Sequence, residues 1–251
     1  MLSNPLIRKK QEEAEPDRMK IALISDIHSN LHALLAALAD IDGRGIEQVY
    51  CLGDIVGYGG SPNECVDLVR QRASAVVLGN HDLAAVKPSN ADYFTKPGKI
   101  AAEWTNKTLT DENREFLTAL PFTVEMGLCT LVHASPKAPP AWQYVNSMNA
   151  ARSQFAHFKT EICFIGHTHV PAICGEDLKT FKFKKNMRFL VNIGSIGQPR
   201  DGNPHLSYGI LDTDAWSYEN IRIPYDIRAA AEAITSKGLP ALLAKRLSQG
   251  L

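Results

Sequence analysis

KIALISDIHSN, residues 20–30, carries the decision about the fold. The stretch 20–25 reads as a continuous apolar strand ending at a polar cluster, as expected for a strand covered on both faces. Asn30 can then cap a helix whose apolar positions Leu31, Leu34, Leu35, Leu38 and Ile41 recur at helical spacing, with Gly43 and Gly45 ending it. The pattern repeats downstream. A strand over 48–52 (QVYCL) leads into GDIVGYGG, and a helix begins at Ser61-Pro62, a serine cap with proline at the first helical position, and runs to about Arg72. A third strand, 75–78, runs into GNHD. Three successive strand–loop–helix units predict a parallel sheet with right-handed crossovers. Side chains at the carboxyl ends of such strands converge on one rim, where open α/β sheets place their sites.

Further along, 98–118 reads as helical and ends at Leu120-Pro121. Strands are predicted at 122–126 and 129–133 across a turn at Gly127, then a helix near 148–157 and a strand at 162–166. From 180 to 223 the pattern changes to alternating strands (FKF, RFLVNI, SYGILD, SYENIRI), predicting a second, mainly antiparallel sheet packed on the first. A helix over 226–236 closes a single domain spanning 19–251. Residues 1–18 are charged, lack an apolar signal-peptide core, and read as an extension.

Composition narrows the partners. Lysine plus arginine and aspartate plus glutamate both number 27, so no basic excess favours a nucleic-acid duplex. No apolar run approaches a membrane-spanning length. Five cysteines form no CxxC pair and no even framework, which argues against disulfides or a zinc knuckle and for a reducing, cytoplasmic setting.

Five short motifs fall at the predicted strand ends: Asp26-Ile27-His28, Gly53-Asp54, Gly79-Asn80-His81-Asp82, Val132-His133 and Gly166-His167-Thr168-His169. Five of the eight histidines lie in them, which is hard to ascribe to structural imidazoles alone. In DxH and HxH the spacing of two puts both side chains on one side of an extended segment. Imidazole, carboxylate and amide oxygen without thiolate suit divalent ions such as Mn, Fe, Ni or Zn.

This ordered set resembles the calcineurin-like metallophosphoesterases, whose pattern is DxH…GD…GNHD/E…H…GHxH, and the compact bacterial phosphodiesterase-like branch in particular. The resemblance implies an α/β fold, a four-layer α/β/β/α sandwich of two mixed sheets flanked by helices, holding two divalent transition-metal ions. Carried onto this chain, it makes Asp26, His28 and His169 ligands of one ion and Asn80, His133 and His167 ligands of the other, with Asp54 bridging. His81 would face the substrate, donating a proton to the leaving oxygen or a hydrogen bond to a phosphoryl oxygen, with Asp82 as a conceivable support. Two bridged ions about 3.5–4 Å apart share a water, lower its pKa and yield a hydroxide nucleophile. The expected activity is hydrolysis of a small phosphoester, a diester favoured over a monoester. The alternative is a catalytically silent metal-binding scaffold of the same fold.

Outer contacts are less marked. Arg200, in the turn-rich loop 194–208, can match a phosphate bidentately or be a solvated loop residue. Tyr58 and Trp142 can stack on a ring or pack. His32 lies one turn beyond His28, lining the site or sitting on the helix surface, and His157 reads as structural. The phosphoprotein phosphatase branch reads GDxxDRG, whereas this chain has Gly57 and Tyr58 at the acid and arginine positions. Neither protein phosphatase nor symmetrical dinucleoside tetraphosphatase activity is therefore expected.

Overall fold

The computed structural model describes residues 19–251, so the stretch 1–18 lies outside the described residues. Two five-stranded sheets pack face to face. The first begins with β1 (Lys20–Ile24), β2 (Gln48–Cys51) and β3 (Ala75–Val76), all parallel, joined by helices α1 (Leu31–Gly43) and α2 (Pro62–Arg72). The strand period of two divides β1 cleanly. Ala22 and Ile24 face the helices, beside Leu34, Leu38 and Val66, while Ile21 and Leu23 face the second sheet.

α3 (Asn80–Val86) starts at the first residue after Gly79. The helix expected over 98–118 is two, α4 (Lys96–Thr108) and α5 (Asp111–Ala119). The break follows from Thr110, whose hydroxyl accepts the amide of Asn113 and so starts a new helix. β4 (Thr123–Met126) and β5 (Cys129–Val132) form the expected hairpin. α6 (Met148–Gln154) is followed by a 3₁₀ turn at Phe155–His157. Then come β6 (Ile162–Ile165), β7 (Ala172–Gly175) and β8 (Phe189–Asn192), and the second sheet has the order β4-β5-β6-β8-β7.

The expectation that 180–223 builds the second sheet is corrected. β9 (Leu206–Asp212) pairs antiparallel with β1, and β10 (Ser217–Ile223) with β9, so both extend the first sheet. β9 is buried along nearly its whole length, because α1 covers it on one face and the second sheet on the other. Only β8 of that segment enters the second sheet, parallel to β6. FKF (181–183) is no strand; Phe183 instead stacks its ring on Phe189 at 4.6 Å from a loop. β7 had no alternating signal to announce it. Beyond α7 (Ile227–Ser236) the chain adds α8 (Ala241–Leu247), whose Leu243 and Leu247 pack near Tyr58 and Tyr225.

Between the sheets lies an apolar layer centred on Leu23, Leu52, Leu131, Phe164, Phe189 and Val191. Each such side chain contributes roughly 1.5–3 kcal/mol on burial. On the outer face of the second sheet, α6 and the following turn cover Cys163, Ile165 and Leu190 with Ala151, Phe155 and Phe158. The layers are thus helix, sheet, sheet, helix. All five cysteines are free and buried. Among the described residues no helix is long and apolar enough to cross a membrane.

Candidate metal centre

Six parallel strands, three in each sheet, end at one rim, and the loops that follow them build the centre. β1 leads to Asp26 and His28, β2 to Asp54, β3 to Asn80 and His81, β5 to His133, and β6 to His167 and His169. All eight side chains are buried, none more than 8% exposed. Five of the seven expected ligands (Asp26, His28, Asp54, His167 and His169) hold φ between 51° and 66°. Non-glycine residues rarely adopt this left-handed region, and the strain clusters where side chains must leave a strand end at a sharp angle.

Three histidines are oriented by backbone carbonyls. Nδ1–H of His28 donates to Val56 O at 3.2 Å, that of His133 to Leu52 O at 2.7 Å, and that of His169 to Gln198 O. A carbonyl only accepts, so the proton sits on Nδ1, and in the neutral rings each Nε2 presents a lone pair inward. The carboxylates are held in the same fashion. Asp26 Oδ2 accepts from Ser25 Oγ at 2.7 Å and from His167 N–H at 3.0 Å, leaving Oδ1 without a hydrogen-bond partner. Asp54 Oδ1 accepts His81 N–H at 2.8 Å, leaving Oδ2 inward.

Acceptors therefore crowd together. Asp26 Oδ1 lies 3.1 Å from His169 Nε2, which lies 3.1 Å from His28 Nε2. Asp54 Oδ2 lies 3.3 Å from His133 Nε2 and 3.7 Å from His28 Nε2. Asn80 Oδ1 is 3.2 Å from His133 Nε2, and buried His167 Nε2 has no partner. With Asp26 Oδ1 and His167 Nε2 buried and unpartnered, this convergence of imidazole, carboxylate and amide donor atoms fits divalent metal ions well. Donor atoms of Asp26, His28 and His169 lie within 4.8 Å of one another, as do those of Asp54, His133 and His167. A third such group joins His28, Asp54 and His81.

Electrostatics follows from this packing. Burial opposes charge on Asp54, but His133, His81 and His28 overcome it and hold the carboxyl well below its usual range. Asp26 is lowered likewise against burial, by His169 and then His133. Burial also disfavours a charged His133, yet Asp54 and Asp26 raise it to about 9. A His133 imidazolium thus balances part of the negative charge of Asp54 and Asp26. Burial takes His28 down, as does His81, and burial with His133 takes His167 down to about 3.

His81 is lowered to about 4 by burial, with Asp54 opposing and Arg200 assisting, so its ring is neutral near pH 7. Its Nδ1 is buried, without a partner, and packs over Gly57, where a β-carbon would come within 2.6 Å. The conceivable support from Asp82 is not made. Asp82 turns the other way, accepting from Val56 N–H at 3.1 Å and Gly79 N–H at 3.0 Å, and burial beside Asp54 raises it to about 7. It shapes the loops that carry Asp54 and Asn80.

The outer residues divide. The Tyr58 ring lies 4.6 Å from that of His28 and 4.4 Å from that of His81. Arg200 places its guanidinium 5.9 Å from the Tyr58 centroid and bonds Gln198 Oε1 at 3.0 Å. Trp142 meets His133 edge-on at 5.9 Å. His32 shares a small cleft with His28 and Tyr58 but joins none of the ligand groups, and His157 is remote in the turn after α6. Several neighbours had no sequence signal. Tyr144 stacks on His167 at 4.2 Å, and Phe94 lies 4.4 Å from His81. Ser195 bonds the Asp26 carbonyl at 2.8 Å from a loop that was legible only as turn-rich.

Comparison with known proteins gives a consistent picture. Residues 19–215 match the sequence profile of the calcineurin-like phosphoesterase superfamily domain. An uncharacterized protein of Methanocaldococcus jannaschii is 41% identical over 240 residues, 92% of this chain and 98% of that one. The crystal structure of a metallophosphoesterase from Sphaerobacter thermophilus superposes with a TM-score of 0.84 at 38% identity, over 94% of this chain and all of that one. A hypothetical protein from Pyrococcus horikoshii shares the fold, with a TM-score of 0.78 at 22% identity, over 93% of this chain and 99% of that one.

Proposed function

The chain belongs to the calcineurin-like phosphoesterase superfamily, and on that premise we propose that it hydrolyses small phosphoesters at a dinuclear metal centre. The observation that carries this reading is the convergence of buried acceptors with no proton between most of them. Asp26, His28 and His169 would hold one divalent ion and Asn80, His133 and His167 the other, with Asp54 between them. When bound, such ions supply Lewis acidity and a water acidified toward neutrality, the chemistry that phosphoester hydrolysis needs. Mn, Fe, Ni and Zn all suit the donor set.

The chain's own side chains do the rest. The backbone carbonyls of Leu52, Val56 and Gln198 keep three imidazoles in one tautomer, so no proton must be expelled from His28 or His169 near neutral pH. His81, neutral at that pH, donates a hydrogen bond to a phosphoryl or leaving oxygen rather than delivering a full proton. Arg200, steadied by Gln198 and the Tyr58 face, offers a cation to a non-bridging oxygen. We favour a diester. Tyr58 stands where a second arginine could clamp a monoester dianion, so the chain lacks that extra cation for a doubly charged phosphoryl group. The five free thiols support a reducing compartment such as the cytoplasm.

Elemental analysis paired with hydrolysis of mono- and bis-nitrophenyl phosphate across Mn, Ni, Co, Zn and Mg tests the reading. About two metals per chain, metal-dependent turnover and faster diester cleavage are expected. His81→Ala should lower kcat about 10²–10³-fold with metal content unchanged. No bound metal under any condition, or full activity in the His81 variant, would overturn the respective part.

A further inference from the structure

At the β7 edge of the second sheet, between α6 and the β10 edge of the first, a cleft of about 990 Å³ opens. Its floor includes Ile165 and Leu190. Tyr144, Met148, Val170 and Phe181 form walls and lip, and these large apolar side chains are 53%, 41%, 40% and 56% exposed. Four exposed large hydrophobics gathered on one concave surface are not the scattered kind that a protein surface ordinarily carries. The volume falls at the upper end of the roughly 300–1,000 Å³ typical of small-molecule sites. Among the described residues, no acidic or basic side chain lines the cleft. Its polar groups are neutral, Asn192 and the buried, unpartnered hydroxyl of Tyr218 among them.

What should occupy it follows from where it begins. Tyr144 stacks on His167, and Thr168, which also lines the cleft, lies between His167 and His169. The cleft therefore adjoins the candidate metal centre through Tyr144 and Thr168, and Tyr144 marks the side from which a substituent of a phosphoryl group held there would enter it. An uncharged, largely apolar lining selects an apolar chain. We propose that this cleft binds the apolar substituent of the substrate, which is an amphipathic phosphoester with an alkyl or acyl chain. The proposal rests on the phosphoesterase reading and names the substrate class for it.

The test is binding of n-alkylphosphonates, from methyl to octyl, to the metal-loaded protein by titration calorimetry. In the wild type, affinity should rise by roughly two- to fourfold per methylene until the cleft is filled. Met148→Lys and Phe181→Asp, both at exposed positions outside the candidate ligand groups, should abolish that rise while keeping methylphosphonate affinity within about twofold. A flat series in the wild type, or a rise that survives both variants, overturns the proposal. A flat series with self-association that Phe181→Asp abolishes overturns it too, and assigns the cleft to a second copy. Hydrolysis of bis-nitrophenyl phosphate reports the metal centre separately. Absent turnover with an intact chain-length series would fail the phosphoesterase reading and leave the cleft as an apolar-chain site, whereas turnover with a flat series would do the reverse.

Discussion

Lone pairs and carboxylate oxygens do not share a buried space without positive charge, and in the metal-free protein much of that charge falls on His133. Its pKa of about 9, raised by Asp54 and Asp26 against burial, has two consequences. The ring must lose a proton to ligate, so apparent metal affinity should climb by up to about tenfold per pH unit until pH nears that value, then level off. Calorimetry in buffers of different ionisation enthalpy should detect the released proton, and a pH-independent affinity would refute the assignment. The sign for folding is opposite. A raised pKa stabilises the metal-free fold fully below the unfolded value of about 6.5, and this contribution fades as pH rises through about 9. Close packing around the ligands gives a second prediction. A β-carbon at Gly166 would lie 2.4 Å from Asp26 Oδ2 and 2.2 Å from Ser25 Oγ. Gly166→Ala should cost about 1–3 kcal/mol in denaturant unfolding and weaken metal retention, because Asp26 must move. The identities of these residues were plain in the motifs. Their left-handed backbone and the direction Asp82 faces were not, since both depend on carbonyls and amides delivered by other loops.

At the scale of elements, the helices announced themselves where apolar spacing met a start signal, as in α1 with the Asn30 cap and α2 with Pro62 at its first position, although the Ser61 side chain makes no capping hydrogen bond. The strands after residue 180 were harder to place. A strand's period tells which faces are buried but not which neighbour it pairs with, and β9 and β10 crossed back to the first sheet. α8 shows how a short helix without a strong sequence signature still serves the site. Leu247 is 3% exposed, and the cluster it joins includes Tyr58, the ring set against His28 and His81. Leu247→Ala should destabilise the fold by about 2–4 kcal/mol and, by loosening Tyr58, raise KM more than it lowers kcat. An unchanged KM in a folded variant would uncouple α8 from the site.

For the whole molecule, ions bound at the proposed centre, at the junction of two sheets, would tie both sheets together. Saturating metal at about 100 times Kd should stabilise the fold by about 2.7 kcal/mol per independent site, and chelation should lower Tm by several degrees. Asp54→Asn, which removes the proposed bridging charge, should abolish most of that shift in differential scanning calorimetry; a full shift in the variant would remove Asp54 from the centre. From the sequence alone came the family, the rim of candidate ligands and the layered α/β class, because these rest on local order: an apolar run, a glycine, then a polar residue, repeated along the chain. Only the tertiary structure decided which sheet each late strand joins, that Asp82 turns from His81, that Tyr144 caps His167, and that an apolar cleft opens beside it. Those features are set by contacts between residues far apart in the chain, and no local pattern records a partner that folding alone brings near.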